Sequence, residues 1–374
     1  MSLLSDDQKM LQETAASFLA AEGAPAKQLR HWRDTGCTDG YGTDLWRQFG
    51  ELGLTGICIP EDQGGLGLGA TAAALVLEEV GRNLTPSPFL TTSVVAARAL
   101  EGSAHAARWY PGILSGETVL ALAIDESAHH APEQTSLSAR RRGNGFLLNG
   151  SKQFVIHGNS ADMILTLART SGSPGDREGL TLFAVPKSIA EVETDTLVDS
   201  SKTARLSFTD VELDADAVVG EVDCGWGPLS RALDAGRAGA AAELVGIAAG
   251  ASSMTLDYLK QRKQFGRTIG EFQALQHRAA HLYSEIEIAR AAAFKAAQAL
   301  DSGDEQAELH CSVAKAKAAS VASLAVREGV QMHGGIGMTD EHDIGLFMKR
   351  SAVLSELFGD VYFHRNRVAE LSGY

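Results

Sequence analysis

The amino-acid sequence predicts a mostly helical α+β protein: an N-terminal helical domain over residues 1–117, a middle antiparallel β-domain over 118–225 and a C-terminal four-helix bundle over 226–374. Three observations predict it. Apolar residues recur at helical spacing in the N-terminal part, the period shortens toward two between about Thr118 and Gly220, and beyond Trp226 the chain becomes alanine-rich over long amphipathic stretches.

The first helix is announced by Ser5-Asp-Asp-Gln, an N-cap followed by acidic first-turn residues, with Leu11, Ala15, Phe18 and Leu19 at helical spacing behind it. Pro60-Glu-Asp-Gln-Gly-Gly-Leu-Gly-Leu-Gly69 interrupts the helical pattern. As a phosphate cradle it is weak, because it lacks a Gly-Lys-Ser/Thr ending and follows no βαβ unit. The next helix is expected over Ala72 to Val80, closed by Gly81 as a C-cap.

In the middle segment Gly145-Phe-Leu-Leu and Lys152-Gln-Phe-Val-Ile flank Asn149-Gly150, the strongest short-range hairpin signal in the chain. Leu180-Thr-Leu-Phe-Ala-Val and Ala204-Arg-Leu-Ser-Phe add strands, and the whole reads as a small antiparallel sandwich or barrel. Arg140-Arg141-Arg142 reads as the solvated edge of a hairpin. Ser171 to Gly179 is a surface loop with nothing to bury, and is given no role. In the C-terminal part four helical patterns follow: Arg237 to Lys263, Gln273 to Leu300, Asp304 to His333, and Asp343 to about Ser372.

A hydrophobic content of 44% over 374 residues is enough for a large core. The 33 Lys and Arg against 47 Asp and Glu, net −14, disfavour a nucleic-acid or anionic-membrane surface. Cys37, Cys58, Cys224 and Cys311 are scattered without C-x-x-C or zinc-ligand spacing, so free thiols in a reducing compartment are expected and no metal site. The N-terminus carries no basic and apolar signal pattern, and no segment is expected to reach the apolar length of a membrane span. The chain is therefore expected in the cytoplasm.

Two C-terminal segments bear on chemistry. Arg262 with Phe265 and Gly266 offers a cation, an aromatic face and free backbone where a helix ends, and Gln331-x-x-Gly-Gly-x-Gly337 lets a backbone approach a phosphate or ribose. Either segment alone also reads as an inter-helix turn. In order with Pro60-Glu-x-x-Gly-Gly-x-Gly and Asn149-Gly-x-Lys152, however, they make nearly the whole chain resemble the acyl-CoA dehydrogenases.

That resemblance implies a tetramer, a dimer of dimers, with FAD at the subunit boundary, an acyl-CoA substrate and electron-transfer flavoprotein as electron acceptor. It carries FAD-binding roles to Arg262, Phe265, Gln273, Gln331, Gly334 and Gly335, which in the family reach across a dimer interface to a flavin held mainly by the neighbouring subunit. Other positions depart from the family. Its Thr-Glu-Pro-x-Ala-Gly-Ser-Asp run becomes Ile124-Asp-Glu-Ser-Ala-His-His-Ala, and its Trp-Ile-Thr strand becomes Phe154-Val-Ile-His157, where Ile156 has no hydroxyl. The family's Tyr-Glu-Gly-Thr motif, which carries the base, falls on Leu357-Phe-Gly-Asp360, and the second known base position falls on Gly236. Neither Phe358 nor Gly236 can remove a proton.

Glu243 lies about 10 Å along the helix axis from Gly236, too far to substitute, and is expected to be structural. In a helix Glu356 and Asp360 point away from Phe358, and both are expected to be solvated or capping residues. His157 is read as a turn residue before Gly158-Asn159, with ligand contact as the alternative, and Gly236 as either an eased helix packing or a widened pocket. The resemblance thus implies α,β-desaturation of an acyl-CoA thioester in fatty acid or sterol catabolism, with this chain as the supporting subunit of a heteromer. A homotetramer with a relocated base and a flavin-free scaffold or regulatory subunit are the alternatives.

Overall fold

The computed structural model describes residues 4–374. Helix α1 (Asp6–Glu22) opens with the predicted cap as a full capping box: Ser5 Oγ accepts from Gln8 N–H at 3.2 Å and Gln8 Oε1 accepts from Ser5 N–H at 3.0 Å. Helices α2 (Leu29–Asp34) and α3 (Thr43–Glu51) follow, then α4 (Gly69–Arg82), a π-helical stretch (Phe89–Ala96) running into α5 (Ala97–Leu100), and α6 (Ala104–Leu114). The glycine-rich loop before α4 is no anion cradle. Its N–H groups donate inward, Gly65 to Pro60 O, Leu66 to Gly56 O, Gly67 to Ile59 O and Leu68 to Ile57 O.

Helix α4 runs past the expected stop at Gly81. That glycine serves close packing instead, since a Cβ there would lie 2.0 Å from the Glu243 carbonyl oxygen, and the left-handed exit comes later, at Leu84 with φ 50°. Asp301 caps the start of α4 from far along the chain, accepting from Ala70 N–H at 2.6 Å and Thr71 N–H at 2.9 Å.

The middle segment forms one sheet from β1 (Leu120–Ala123), β2 (Ser138–Arg142), β3 (Gly145–Ile156), β4 (Met163–Arg169), β5 (Leu180–Pro186), β6 (Glu191–Thr196), β7 (Lys202–Leu213) and β8 (Val218–Val219). The strand order is β6-β7-β3-β2-β4-β5-β8, with β1 also on β4. Pairing is antiparallel except that β1 and the first residue of β2 run parallel to β4. The hairpin expected at Asn149-Gly150 is absent. Arg142 pairs Gly145, so the turn is Gly143-Asn144, and β3 passes straight through residues 149 and 150. Gly150 (φ 140°) marks a bulge, where a Cβ would sit 2.9 Å from Leu137 Cα, and Asn149 exchanges hydrogen bonds with Asp210 of β7. Arg140 to Arg142 are exposed beside the turn, as predicted. The Ser171–Gly179 loop is pinned by the buried Arg169, whose guanidinium donates to the carbonyls of Ser171, Asp176 and Glu178.

The C-terminal part contains α7 (Trp226–Gln261), a short hairpin of β9 (Lys263–Gln264) and β10 (Arg267–Thr268), α8 (Gln273–Ser302), α9 (Ala307–His333), α10 (Ile344–Glu356) and α11 (Val361–Leu371). Two expectations are corrected. By length and composition α7 does qualify as a membrane span, but 83% of its apolar window is buried within the molecule, as the core helix of a bundle would be. The fourth predicted helix is two, because Phe358 (φ 61°) and Gly359 (φ 107°) take left-handed conformations that no α-helix accommodates. Residues 4–31, 70–86 and 237–374 form one compact unit; residues 32–69 and 87–236, including the sheet, form a second.

Candidate functional site

Arg262 stands just past the end of α7, its N–H bonded to Tyr258 O. The β9/β10 hairpin then turns through Phe265 (φ 52°) and Gly266 (φ 81°), with Gln264 pairing Arg267. Left-handed backbone at phenylalanine is strained, by roughly 1–2 kcal/mol. It nevertheless presents Phe265 at 89% exposure, edge-on to Phe272 (ring centroids 6.2 Å), while the Arg267 guanidinium lies 4.2 Å over the Phe272 ring. Gln273 follows directly as the first residue of α8 and is exposed. The structure thus gathers Arg262, Phe265 and Gln273 around one hairpin.

Gln331, Gly334 and Gly335 form a second exposed group at the end of α9. At Gly334 and Gly335 an added Cβ would meet nothing within 4 Å, and only Gly334 has a positive φ (67°). Packing within the chain therefore does not require glycine at 335, which suits a backbone open to an outside group. Among the described residues the side chains of Arg262, Gln273 and Gln331 have no hydrogen-bond or ion-pair partner. These exposed cationic, amide and aromatic groups fit a dinucleotide, and would hold FAD by its pyrophosphate, ribose and ring faces.

The two groups are joined by a stack that the sequence reading missed. Tyr258, one turn before Arg262, packs on His333 (ring centroids 4.5 Å), and His333 packs on His342 at 4.4 Å. His333 Nδ1 donates to Gly329 O at 2.7 Å, and His342 Nδ1 accepts from Ile344 N–H at 3.2 Å. Burial holds the His333 pKa below its ordinary value, which favours the uncharged ring. The only signal in the sequence was the position of His333 inside Gln331-x-x-Gly.

At the turn between α10 and α11, Phe358 is buried at 6% exposure. Of the three acids weighed as substitutes, two are engaged by other groups and one is exposed. Asp360 caps α11, accepting from Phe363 N–H at 2.6 Å, and Glu243 is buried against Arg350, with Oε1 2.6 Å from Nη2 and 2.9 Å from Nε. Glu356 is exposed at the end of α10.

In the second unit, a register break between Lys152 and Val155 and a left-handed backbone at Phe154 (φ 55°) leave that ring 49% exposed. His157 (φ 59°) begins the turn read from the sequence, its carbonyl accepting from Ser160 and Ala161 N–H, and its Nδ1 lies 2.9 Å from Thr91 Oγ1. The Ile124–Ala131 run is tied up internally: Asp125 faces His130 Nδ1 at 3.1 Å, and Glu126 accepts from Lys152 Nζ, Ser136 and Leu137. Ile156 offers no polar group, so this strand supplies an aromatic face without a side-chain hydroxyl at that position.

Comparison with known proteins covers the chain nearly end to end. Residues 5–117, 125–212 and 223–372 match the acyl-CoA dehydrogenase N-terminal, middle and C-terminal domains, respectively. The mitochondrial isovaleryl-CoA dehydrogenase of Solanum tuberosum is 31% identical over 370 residues, covering 95% of this chain and 88% of that protein. The solved butyryl-CoA dehydrogenase of Megasphaera elsdenii superposes with a TM-score of 0.91 at 25% identity, covering 100% of this chain and 99% of that one. A solved chain described as Tcur3481-Tcur3483 steroid ACAD superposes with a TM-score of 0.87 at 29% identity, covering 98% of each.

Proposed function

The chain belongs to the acyl-CoA dehydrogenase family, and on that premise we propose that it is the supporting subunit of a heteromeric, FAD-dependent enzyme that desaturates an acyl-CoA thioester between Cα and Cβ. One observation carries the reading. The groups suited to a flavin reached from this chain's surface, Arg262, Phe265, Gln273, Gln331, Gly334 and Gly335, are exposed, while Phe358, where the resemblance puts the family's base, is buried.

FAD bound in such an assembly would take the hydride released from Cβ. This chain's part is to bind and orient: Arg262 to neutralise pyrophosphate, Gln273 and Gln331 to hydrogen-bond it or the ribose, Phe265 to cover an aromatic ring, and Gly334 and Gly335 to admit close approach. The proton at Cα is left to a carboxylate of the partner subunit. Electrons would leave to electron-transfer flavoprotein, in the cytoplasm, and the description of one structural neighbour as a steroid ACAD points to bulky acyl groups in sterol catabolism.

The test is the flavin-to-protein ratio of this chain purified alone, followed by anaerobic addition of a panel of acyl-CoAs. Little flavin, or flavin that no acyl-CoA bleaches, supports the dependent subunit. Stoichiometric flavin that bleaches would overturn it in favour of an autonomous enzyme with a relocated base.

A further inference from the structure

One buried ammonium takes no part in the outward-facing surface. Lys315, on α9, has 0% exposure, and its Nζ donates to the carbonyls of Ser355 at 2.8 Å and Gly359 at 3.2 Å. Those carbonyls bracket Phe358 and Gly359, the two consecutive left-handed residues that break α10 from α11. A non-glycine residue holds such a backbone only where its surroundings over-determine it. Here the flanks are fixed as well. A Cβ at Gly359 would sit 2.4 Å from Phe363 Cδ1, Gly359 N–H donates to Glu356 O at 3.2 Å, and Asp360 caps α11.

We propose that Lys315 is the positioning residue of this turn: by reaching from α9 to both carbonyls, it sets the backbone at residue 358 whichever side chain stands there. The inference rests on residue 358 being the family's base position. It explains why the turn keeps a strained geometry around a phenylalanine that has no proton to move: the shape is imposed from α9.

The surroundings of the ammonium are mixed. Glu356 from the end of α10 and Asp360 from the start of α11 favour its charge, whereas Arg237 from α7 opposes it. Arg237 also lies 5.6 Å over the Phe363 ring, and the buried His364 ring packs edge-on to Phe363 at 5.1 Å. Burial dominates and pulls Lys315 from 10.5 down to about 7. The neutral amine still has two N–H groups for two carbonyls. Opening the turn to water restores an ordinary lysine, so opening takes up a proton above that value. The closed turn therefore gains stability as pH rises, by up to about tenfold in the opening equilibrium per pH unit.

Hydrogen–deuterium exchange of the full-length chain, followed in the peptide spanning residues 355–361, reads this without flavin or turnover. After correction for intrinsic exchange, protection should be flat below about pH 7 and climb above it, in the wild type and in Phe358→Leu alike. Lys315→Met should abolish the climb and, near pH 9, exchange about tenfold faster for want of the two hydrogen bonds. A wild-type profile flat through pH 9, or a climb lost in Phe358→Leu but kept in Lys315→Met, overturns the assignment. If Lys315→Met does not fold, the wild-type and Phe358→Leu profiles decide. Stoichiometric, bleachable flavin on the chain purified alone would sink the supporting-subunit reading and leave this profile unchanged.

Discussion

Lys152 carries an ammonium into the interior, at 0% exposure. Its three N–H donors meet three acceptors, Glu126 Oε1 at 2.8 Å, Ile124 O at 2.9 Å and Thr135 Oγ1 at 3.1 Å, and this full set makes burial tolerable. Burial still pulls Lys152 down to about 8. For Glu126, burial acts to raise the pKa, but the Lys152 charge and the hydrogen bonds from Lys152, Ser136 and Leu137 outweigh it and hold the carboxyl below the usual range. Lys152→Met leaves Glu126 without its counter-charge and is expected to cost about 3–5 kcal/mol, read as a lower urea midpoint at pH 7. The signs differ at the two ends of the pH scale. Because folding depresses the lysine, the unfolded chain binds more protons above about pH 8, and stability from this group rises with pH until the unfolded lysine titrates. Glu126 gives stability above its unfolded pKa, and that contribution is lost as pH falls through its lowered folded value. The sequence placed Lys152 in a motif, but its partners, 17 to 28 residues away, leave no local trace.

At the scale of elements, local signals were read correctly where local physics decides, and were overridden where a distant backbone intrudes. The Ser5 capping box depends on four consecutive residues and is present as read. Asn149-Gly150 has hairpin chemistry, yet the close approach of Leu137 turns that glycine into a bulge, and a neighbouring Gly143-Asn144 makes the turn. Gly81 looked like a helix stop and is half of a reciprocal contact. A Cβ on Gly81 would meet Glu243 O of α7 at 2.0 Å, and a Cβ on Gly246 of α7 would meet Glu78 O of α4 at 1.9 Å. Both obstacles are backbone atoms, which cannot rotate aside. Gly246→Ala should therefore force α4 and α7 apart and cost about 1–3 kcal/mol despite alanine's better helix propensity, whereas propensity alone would make it stabilising by up to about 1 kcal/mol. Thermal unfolding separates these signs: a raised Tm would reject the close-packed crossing.

For the molecule as a whole, the order of motifs was enough to read the three-part fold, and the positions assigned to a flavin are short runs of contiguous residues that the structure leaves exposed. The Tyr258–His333–His342 stack and the Lys315 support were not legible, because their members lie on separate helices and on the turns between them. What the structure adds to the motif is that the side chains of Arg262, Gln273 and Gln331 have no hydrogen-bond or ion-pair partner among the described residues. If Arg262 serves a flavin in the assembled enzyme, Arg262→Ala removes a hydrogen bond to a charged group, worth about 1.5–3 kcal/mol, and flavin retention by the purified native assembly should fall about tenfold or more. A full flavin complement would reject the cross-subunit role. Phe358→Glu asks the converse question, whether the base position is empty only of its carboxylate. The turn around residue 358 is already formed and supported by Lys315, so a glutamate there enters a prepared backbone. It must also be buried, which raises its pKa toward the range a general base needs near neutral pH. If the chain retains flavin and a substrate pocket of its own, this one substitution should produce acyl-CoA-dependent bleaching of the flavin absorbance where the wild type shows none. If it produces none while flavin stays bound, the missing part is the pocket as well as the base, and the chain serves only its partner's site.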